Sequence, residues 1–209
     1  MFASRMLMSS ISTNKRMVFD GVNNKVDSGV ALGANADLTI GGTIIATATA
    51  NNNLITGDFD GSTNRRAFFV SVEGGTGKLS VITNGVGAGG GNRFYTFDAV
   101  MADGTEHSFE VVYLNGGTLT ATVDGVTVTG SGSIATSLYN SGNSISVGSS
   151  VSGPGVGGHY TGLLYNILIK VNGTATRYRG YGNQDGDWLD TTGGGKNGVV
   201  NGSPEVTYI

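Results

Sequence analysis

Residues 118–130 read TLTATVDGVTVTG, two alternating runs joined by Asp124-Gly125. Asp-Gly between alternating runs is the strongest short hairpin signal, because a two-residue type I′ turn needs positive φ at both central positions. The turn predicts Val123 opposite Val126 and Ala121 opposite Val128. Side chains alternate along a strand, so Leu119, Ala121, Val123, Val126 and Val128 share one face, the expected core. Thr118, Thr120, Thr122, Thr127 and Thr129 share the other, toward water or a partner. The hairpin is scaffold without chemistry of its own, so function is expected in loops or on subunit contacts.

Similar strand-like runs extend outward in both directions: RMVFDGV (16–22), DLTIGGTIIATATA (37–50), RRAFFVSVE (65–73), GKLSVITNG (77–85), RFYTFDAV (93–100), EHSFEVVYL (106–114), SISVGS (144–149), and LLYNILIKV (163–171) turning at Asn172-Gly173 into TATRYRGY (174–181). GVGAGGGN (85–92) and GSSVSGPGVGG (148–158) read as loops, and no helical period of useful length occurs. Many close-spaced strands imply two packed antiparallel sheets, because one open sheet would leave an apolar face wet.

Composition agrees. The chain has 209 residues, 37 of them glycine and 2 proline, with 38% hydrophobic and only 13% charged residues, which suits one all-β domain of short strands and glycine turns. A formal charge of −3 leaves no basic face for nucleic acid or an anionic membrane. Cysteine is absent, which excludes disulfides and thiolate chemistry. No segment is long enough to span a membrane. MFASRMLMSSISTNKRM is interrupted early by Arg5 and does not read as a secretion signal. Residues 1–16 are read as a docking arm, with Met1, Phe2, Met6, Leu7 and Met8 as assembly contacts, since thioethers adapt to irregular surfaces. Residues 17–209 are one domain, loop-rich from about 182.

Three segments, in order, resemble concanavalin-A-like, laminin-G-like jelly rolls. MVFDGVNNKVDSG (17–29) is similar to that family's opening FDG strand pair. DGTEHSFEVVYLNGGTLTATVDGVTVTGS (103–131) is similar to its central DG-x-W-H-x-V meander, with His107 at the family's histidine. NSISVGSSVSGPGVGGHYTGLLYNILIKV (143–171) is similar to its L-x-I-G … F-x-G-x-I-D-E-V segment. The tail DWLDTTGGGKNGVVNGSPEVTYI (187–209) is similar to a segment that in many relatives precedes the FDG strand. The chain departs from the pattern at Tyr165-Asn166, where the family has an acidic pair, and at Glu106, where it has tryptophan. The resemblance implies an all-β, two-sheet antiparallel jelly-roll sandwich of the lectin and glucanase type. Its segment order looks like that of small structural proteins of tailed bacteriophages.

Glucanases of this fold use E-x-D-x-E, which places two carboxylates on one strand face. Glu106 and Glu110 would lie roughly 13 Å apart on a strand, too far for such a pair. Asp58 and Asp60 have the spacing, but GDFDG (57–61) reads as an acidic turn. No enzyme is expected. Asp185, Asp187, Asp58 and Asp60 sit on acidic glycine turns and are the candidate ligands of a structural calcium. Sugars are held by an aromatic ring and surrounding polar groups; the candidate glycan-binding residues are Tyr95, Tyr139, Tyr160, Trp188, Asn92, Asn140 and Asn143. The favoured reading is a phage virion protein, made in the host cytoplasm, homo-oligomeric, held by capsid or tail proteins and displaying a lectin-like jelly roll to host-surface polysaccharide. The alternative is a capsid or tail decoration protein that binds no sugar; a glycoside hydrolase is favoured least.

Overall fold

A computed structural model describes residues 15–47, 51–60, 65–149 and 159–209. The chain runs through β1 (Lys15–Asp20), β2 (Lys25–Ala31), β3 (Leu38–Thr47), β4 (Asn53–Asp60), β5 (Arg65–Val72), β6 (Lys78–Asn84), β7 (Asn92–Val100), β8 (Asp103–Leu114), β9 (Thr118–Val123), β10 (Val126–Val128), β11 (Gly130–Gly132), β12 (Ser144–Val147), β13 (Thr161–Val171), β14 (Thr174–Tyr178), β15 (Val199–Asn201) and β16 (Glu205–Tyr208). The first sheet has the order β10-β9-β8-β3-β13-β1-β16, with β14 also paired to β13. The second has the order β11-β7-β6-β5-β4-β12-β2-β15. Among the described residues the only helical pieces are single 3₁₀ turns at Gly89–Gly91 and Asp185–Asp187. This is the expected all-β jelly-roll sandwich.

The hairpin forms in the expected register, Val123 opposite Val126 and Ala121 opposite Val128. Asp124 and Gly125 have φ of 50° and 78°, as a type I′ turn requires. Ala121 and Val123 are buried, but Val126, on the edge strand β10, is 64% exposed. The turn is tied back to the start of β8. Asp124 accepts hydrogen bonds from the Ser108 N–H (2.8 Å) and bonds His107 Nδ1 (2.7 Å), whose Nε2 meets Asp103 at 3.1 Å. His107 therefore works as a strand-end clamp. Burial opposes its charged form, but the hydrogen bonds its ring makes to the Asp124 and Asp103 carboxylates raise its pKa on balance.

One segment corrects the sequence reading, and a second gives it detail. GDFDG is no turn at its start: residues 53–60 form β4, paired with β5 and β12. The tail from 182 is loop-rich yet integral, for β15 pairs with β2 and β16 with β1. It delivers Trp188 to the core at 0% exposure, edge-on to Phe19 (6.3 Å) and tilted over Tyr178 (6.2 Å), with its indole N–H on the Gly182 carbonyl (3.0 Å). The first strand begins at Lys15, so the arm reaches at most residue 14. Met1, Phe2, Met6, Leu7 and Met8 lie outside the described residues.

The hairpin faces predict opposite sensitivities. Val123→Asp buries an unpaired charge and is expected to cost about 3 kcal/mol or more, whereas Thr120→Asp on the exposed face should cost under about 0.5 kcal/mol. Urea unfolding of the two variants checks this, and equal losses would contradict the assignment of faces.

Candidate functional site

The second sheet has one face on the core and one outside, and its outer face is unusual. Alternation along β5, β6 and β7 sends Val70, Val81 and Phe97 inward and Phe69, Ile82 and Phe94 outward. These outward residues fall in register: Phe94 lies opposite Ile82, Ile82 opposite Phe69, and Phe69 opposite Gly57 on β4. The result is an apolar row across four strands. Gly57 matters here, since a Cβ would lie only 2.7 Å from the Phe69 ring; its absence lets that ring lie flat along the sheet. Leu54 and Phe69 pack together with Ile82 beside them, apart from the main core. Phe94 closes the row at 57% exposure.

Polar rows flank the apolar one. Two residues along, Thr96, Ser80 and Ser71 are consecutive cross-strand neighbours. On the other side Asn92 lies opposite Asn84, whose Nδ2 donates to Asn92 Oδ1 (2.8 Å) and the Ala88 carbonyl (2.7 Å). Asn84 Oδ1 accepts from the N–H groups of Val86 and Gly87, both at 2.9 Å. Asn84 thereby fixes the glycine-rich β6–β7 loop and the position of Asn92. Asn52, Arg66, Ser71 and Asn92 rim a depression of about 230 Å³ floored by Leu54, Phe69, Ile82 and Phe94. Ser71 is 2% exposed and its hydroxyl has no hydrogen-bond partner. Such a group gains from any ligand that supplies one.

Of the residues expected to bind sugar, only Asn92 lies on this groove. Tyr95 points to the opposite face, edge-on to Phe97 at 5.0 Å. Tyr160 is fully buried and donates to the Ile45 carbonyl (3.1 Å), and Trp188 is core, so neither ring can meet a ligand. Tyr139 is half-buried against Gly87, where a Cβ would sit 2.7 Å from its ring. Asn140 is exposed and its side chain caps the Gly142 N–H (3.0 Å). Asn143 is half-buried and has an unpartnered Nδ2. The sequence reading missed Phe94, Asn52, Arg66 and Ser71. Parity could have found Phe94: if Phe97 is core, Tyr95 follows it inward and Phe94 must face out.

The acidic turns do not gather into metal sites. Asp185 accepts from the Val200 N–H (2.7 Å), and Asp187 accepts from the Gln184 N–H (3.1 Å) and lies 3.8 Å from Lys15 Nζ. Asp58 is buried inside β4, bonded by the Ser141 hydroxyl; the side chain of Asp60 lies outside the described residues. Among the described residues no three histidine or acidic side chains converge as metal ligands. Glu106, the other carboxylate in an unexpected place, accepts a hydrogen bond from Tyr165.

No family profile and no characterised protein matches the sequence; solved structures do match. A Bacteroides ovatus protein to which carbohydrate binding has been ascribed aligns at TM-score 0.65 and 18% identity, over 94% of this chain and 60% of that one. A heptameric SAP-like pentraxin of Limulus polyphemus aligns at 0.60 and 12%, over 94% and 95%. Mouse laminin α1 domains LG4-5 align at 0.57 and 17%, over 78% of this chain and 44% of that fragment. The fold is the concanavalin-A-like jelly roll. At these identities the likeness extends to the fold alone.

Asp58 yields a pH prediction. Burial, opposed by the Ser141 hydrogen bond, pushes its pKa up to about 6. A folded pKa above the unfolded one means the charged form is disfavoured in the fold, so the contribution of Asp58 to stability is greatest below about pH 4 and declines as pH rises to about 6. Asp58→Asn keeps an acceptor for Ser141 and removes the charge. It should be more stable than the parent by about 2–3 kcal/mol at pH 7 and no more stable at pH 3.5, roughly the unperturbed carboxylate value, as read by chemical denaturation at both pH values.

Proposed function

We propose that the protein is a carbohydrate-binding module without catalytic activity, and that it holds a pyranose on the outer face of the second sheet. The observation that carries this reading is the exposed Phe94 ring at the end of the Ile82–Phe69 row, bordered by amide and hydroxyl groups. An aromatic ring takes the apolar face of a sugar while polar side chains around it take the hydroxyls. The unpartnered Ser71 hydroxyl and the fixed Asn92 amide supply such partners. The row crosses the strands, so an extended polysaccharide would run perpendicular to them. Sugar binding ascribed to the Bacteroides ovatus neighbour supports the same class of ligand.

The finer reading is a bacteriophage virion protein, made in the host cytoplasm, that displays this module for host attachment. It is supported by the order of the jelly-roll segments and the methionine-bearing residues 1–14. Virion surface proteins work as symmetric oligomers in which avidity multiplies weak contacts, and the groove is small enough to need that. The alternative, a decoration protein without a ligand, gives no reproducible hit on a glycan array.

On such an array Phe94→Ala is expected to lose binding by roughly tenfold or more while keeping the parent's melting temperature; retained binding would take the site off this face. Because β1 begins at Lys15, deletion of residues 2–14 should leave a folded domain that no longer self-associates or enters particles. Analytical ultracentrifugation reads the self-association, and normal assembly by the truncated chain would place the contacts on the sandwich.

A further inference from the structure

We propose that the groove on the second sheet takes a sugar bearing an acetamido group, whose methyl lies on the apolar row and whose carbonyl meets the Asn92 amide. This rests on the sugar-binding reading and adds the chemical class of the ligand. That class follows from which ends of the rim amides the fold has already used.

Asn84 orients one of them. Its Oδ1 accepts from the Val86 and Gly87 N–H groups, so its Nδ2 is the end that faces Asn92. That Nδ2 donates to Asn92 Oδ1 at 2.8 Å. The oxygen of Asn92 is thereby engaged, and its Nδ2 is the end left for a ligand. Asn52, at the β4 end of the floor, is held the same way: its Oδ1 accepts from the Gly74 N–H at 2.9 Å, which leaves its Nδ2. The third rim group, the Arg66 guanidinium, has donors and no acceptor. Among the described residues lining the depression there is no carboxylate, and the Ser71 hydroxyl is the one side-chain oxygen not already bonded.

A sugar hydroxyl both donates and accepts, so on this rim its hydrogens would go largely unmatched. A carbonyl oxygen only accepts. The floor adds a second requirement. Neighbouring strands lie about 4.8 Å apart, so a pyranose stacked on Phe94 sets a ring substituent over Ile82 and Phe69, its successive neighbours across the sheet. A methyl gains there by leaving water. A carboxylate also accepts, and Arg66 favours it, but over Leu54, Phe69 and Ile82 a charge loses hydration that a neutral acyl group does not need. Acetamido joins an acceptor carbonyl to a methyl, and its N–H points the opposite way from that carbonyl, clear of the Asn92 amide.

Calorimetric titration of the full chain with cellotetraose, tetra-N-acetylchitotetraose and the cellouronate tetramer tests this, since the backbone is shared and only the substituents differ. The acetylated tetramer is expected to bind about tenfold or more tightly than cellotetraose, and more tightly than the uronate. Asn92→Asp leaves Asn84 Nδ2 an oxygen to meet, so the melting temperature should stay at the parent's. It also turns the rim donor into a carboxylate, and the preference for the acetylated tetramer should disappear. Equal binding of the acetylated and plain tetramers, tighter binding of the uronate, or a preference that survives Asn92→Asp would overturn the acetamido assignment. In those cases binding that Phe94→Ala abolishes keeps the sugar-binding reading itself. Binding of none of the tetramers, while array glycans without acetamido bind through Phe94, likewise overturns this inference alone; an array with no hit removes both.

Discussion

The sandwich depends on one aromatic contact at the end of the chain's path. Trp188 fills the space between the two sheets beside Phe19, which also meets Tyr160 edge-on at 6.0 Å. Burying a tryptophan here supplies more apolar area than any other single side chain in the core, and the backbone around it is cut to fit. A Cβ at Gly180 or Gly198 would lie 3.0 or 3.1 Å from it, and one at Gly148 would strike the Phe19 ring. Tyr178 completes the joint by donating to the carbonyls of Ser28 (2.5 Å) and Lys196 (2.6 Å). Trp188 is anchored in the core just before β15 and β16, which pair with β2 and β1. A segment that reads as a glycine-rich tail is thus what closes one edge of each sheet.

That closure explains the late position of the tail motif. The tail segment follows β14 in the chain, yet β16 lies against β1, the strand that carries Phe19-Asp20. Contacts, not chain order, define the core, and moving a segment from one end of the sequence to the other is tolerated when both ends lie close together at the surface. The same geometry brings Glu205 beside Asp20, two acidic residues far apart in sequence.

The strand pattern and the central hairpin were legible because period-2 alternation and Asp-Gly turn chemistry act locally. What was not legible depended on the third dimension. Leu54 to Asp60 hid a central strand because Gly57 and Asp58 lower β-propensity, while the actual determinant is the room Gly57 gives to the Phe69 ring. Trp188 lay in a stretch with no alternation, and its burial follows from Phe19 and Tyr178, neither of them near it in the sequence. The groove falls between these cases. Phe94, Ile82 and Phe69 sit in recognised strands, but the row they form exists only through the register of three strands, which alternation alone does not give.

The two outer faces differ in how far their side chains satisfy one another. On the first sheet Tyr165 donates to Glu106, and burial together with that bond pushes the tyrosine's pKa up to about 12. The Arg16 guanidinium lies 4.3 Å from the centroids of both Tyr165 and Tyr181, a stacked cation–π arrangement that covers the tyrosine faces. Rings and charges in this cluster are mutually occupied. On the second sheet the Phe94 ring and the Ser71 hydroxyl lack such partners. A polar or aromatic group without a partner inside the fold keeps its interaction free energy for a ligand, and that is the difference between Phe94 and Ser71 on one face and Tyr165 on the other.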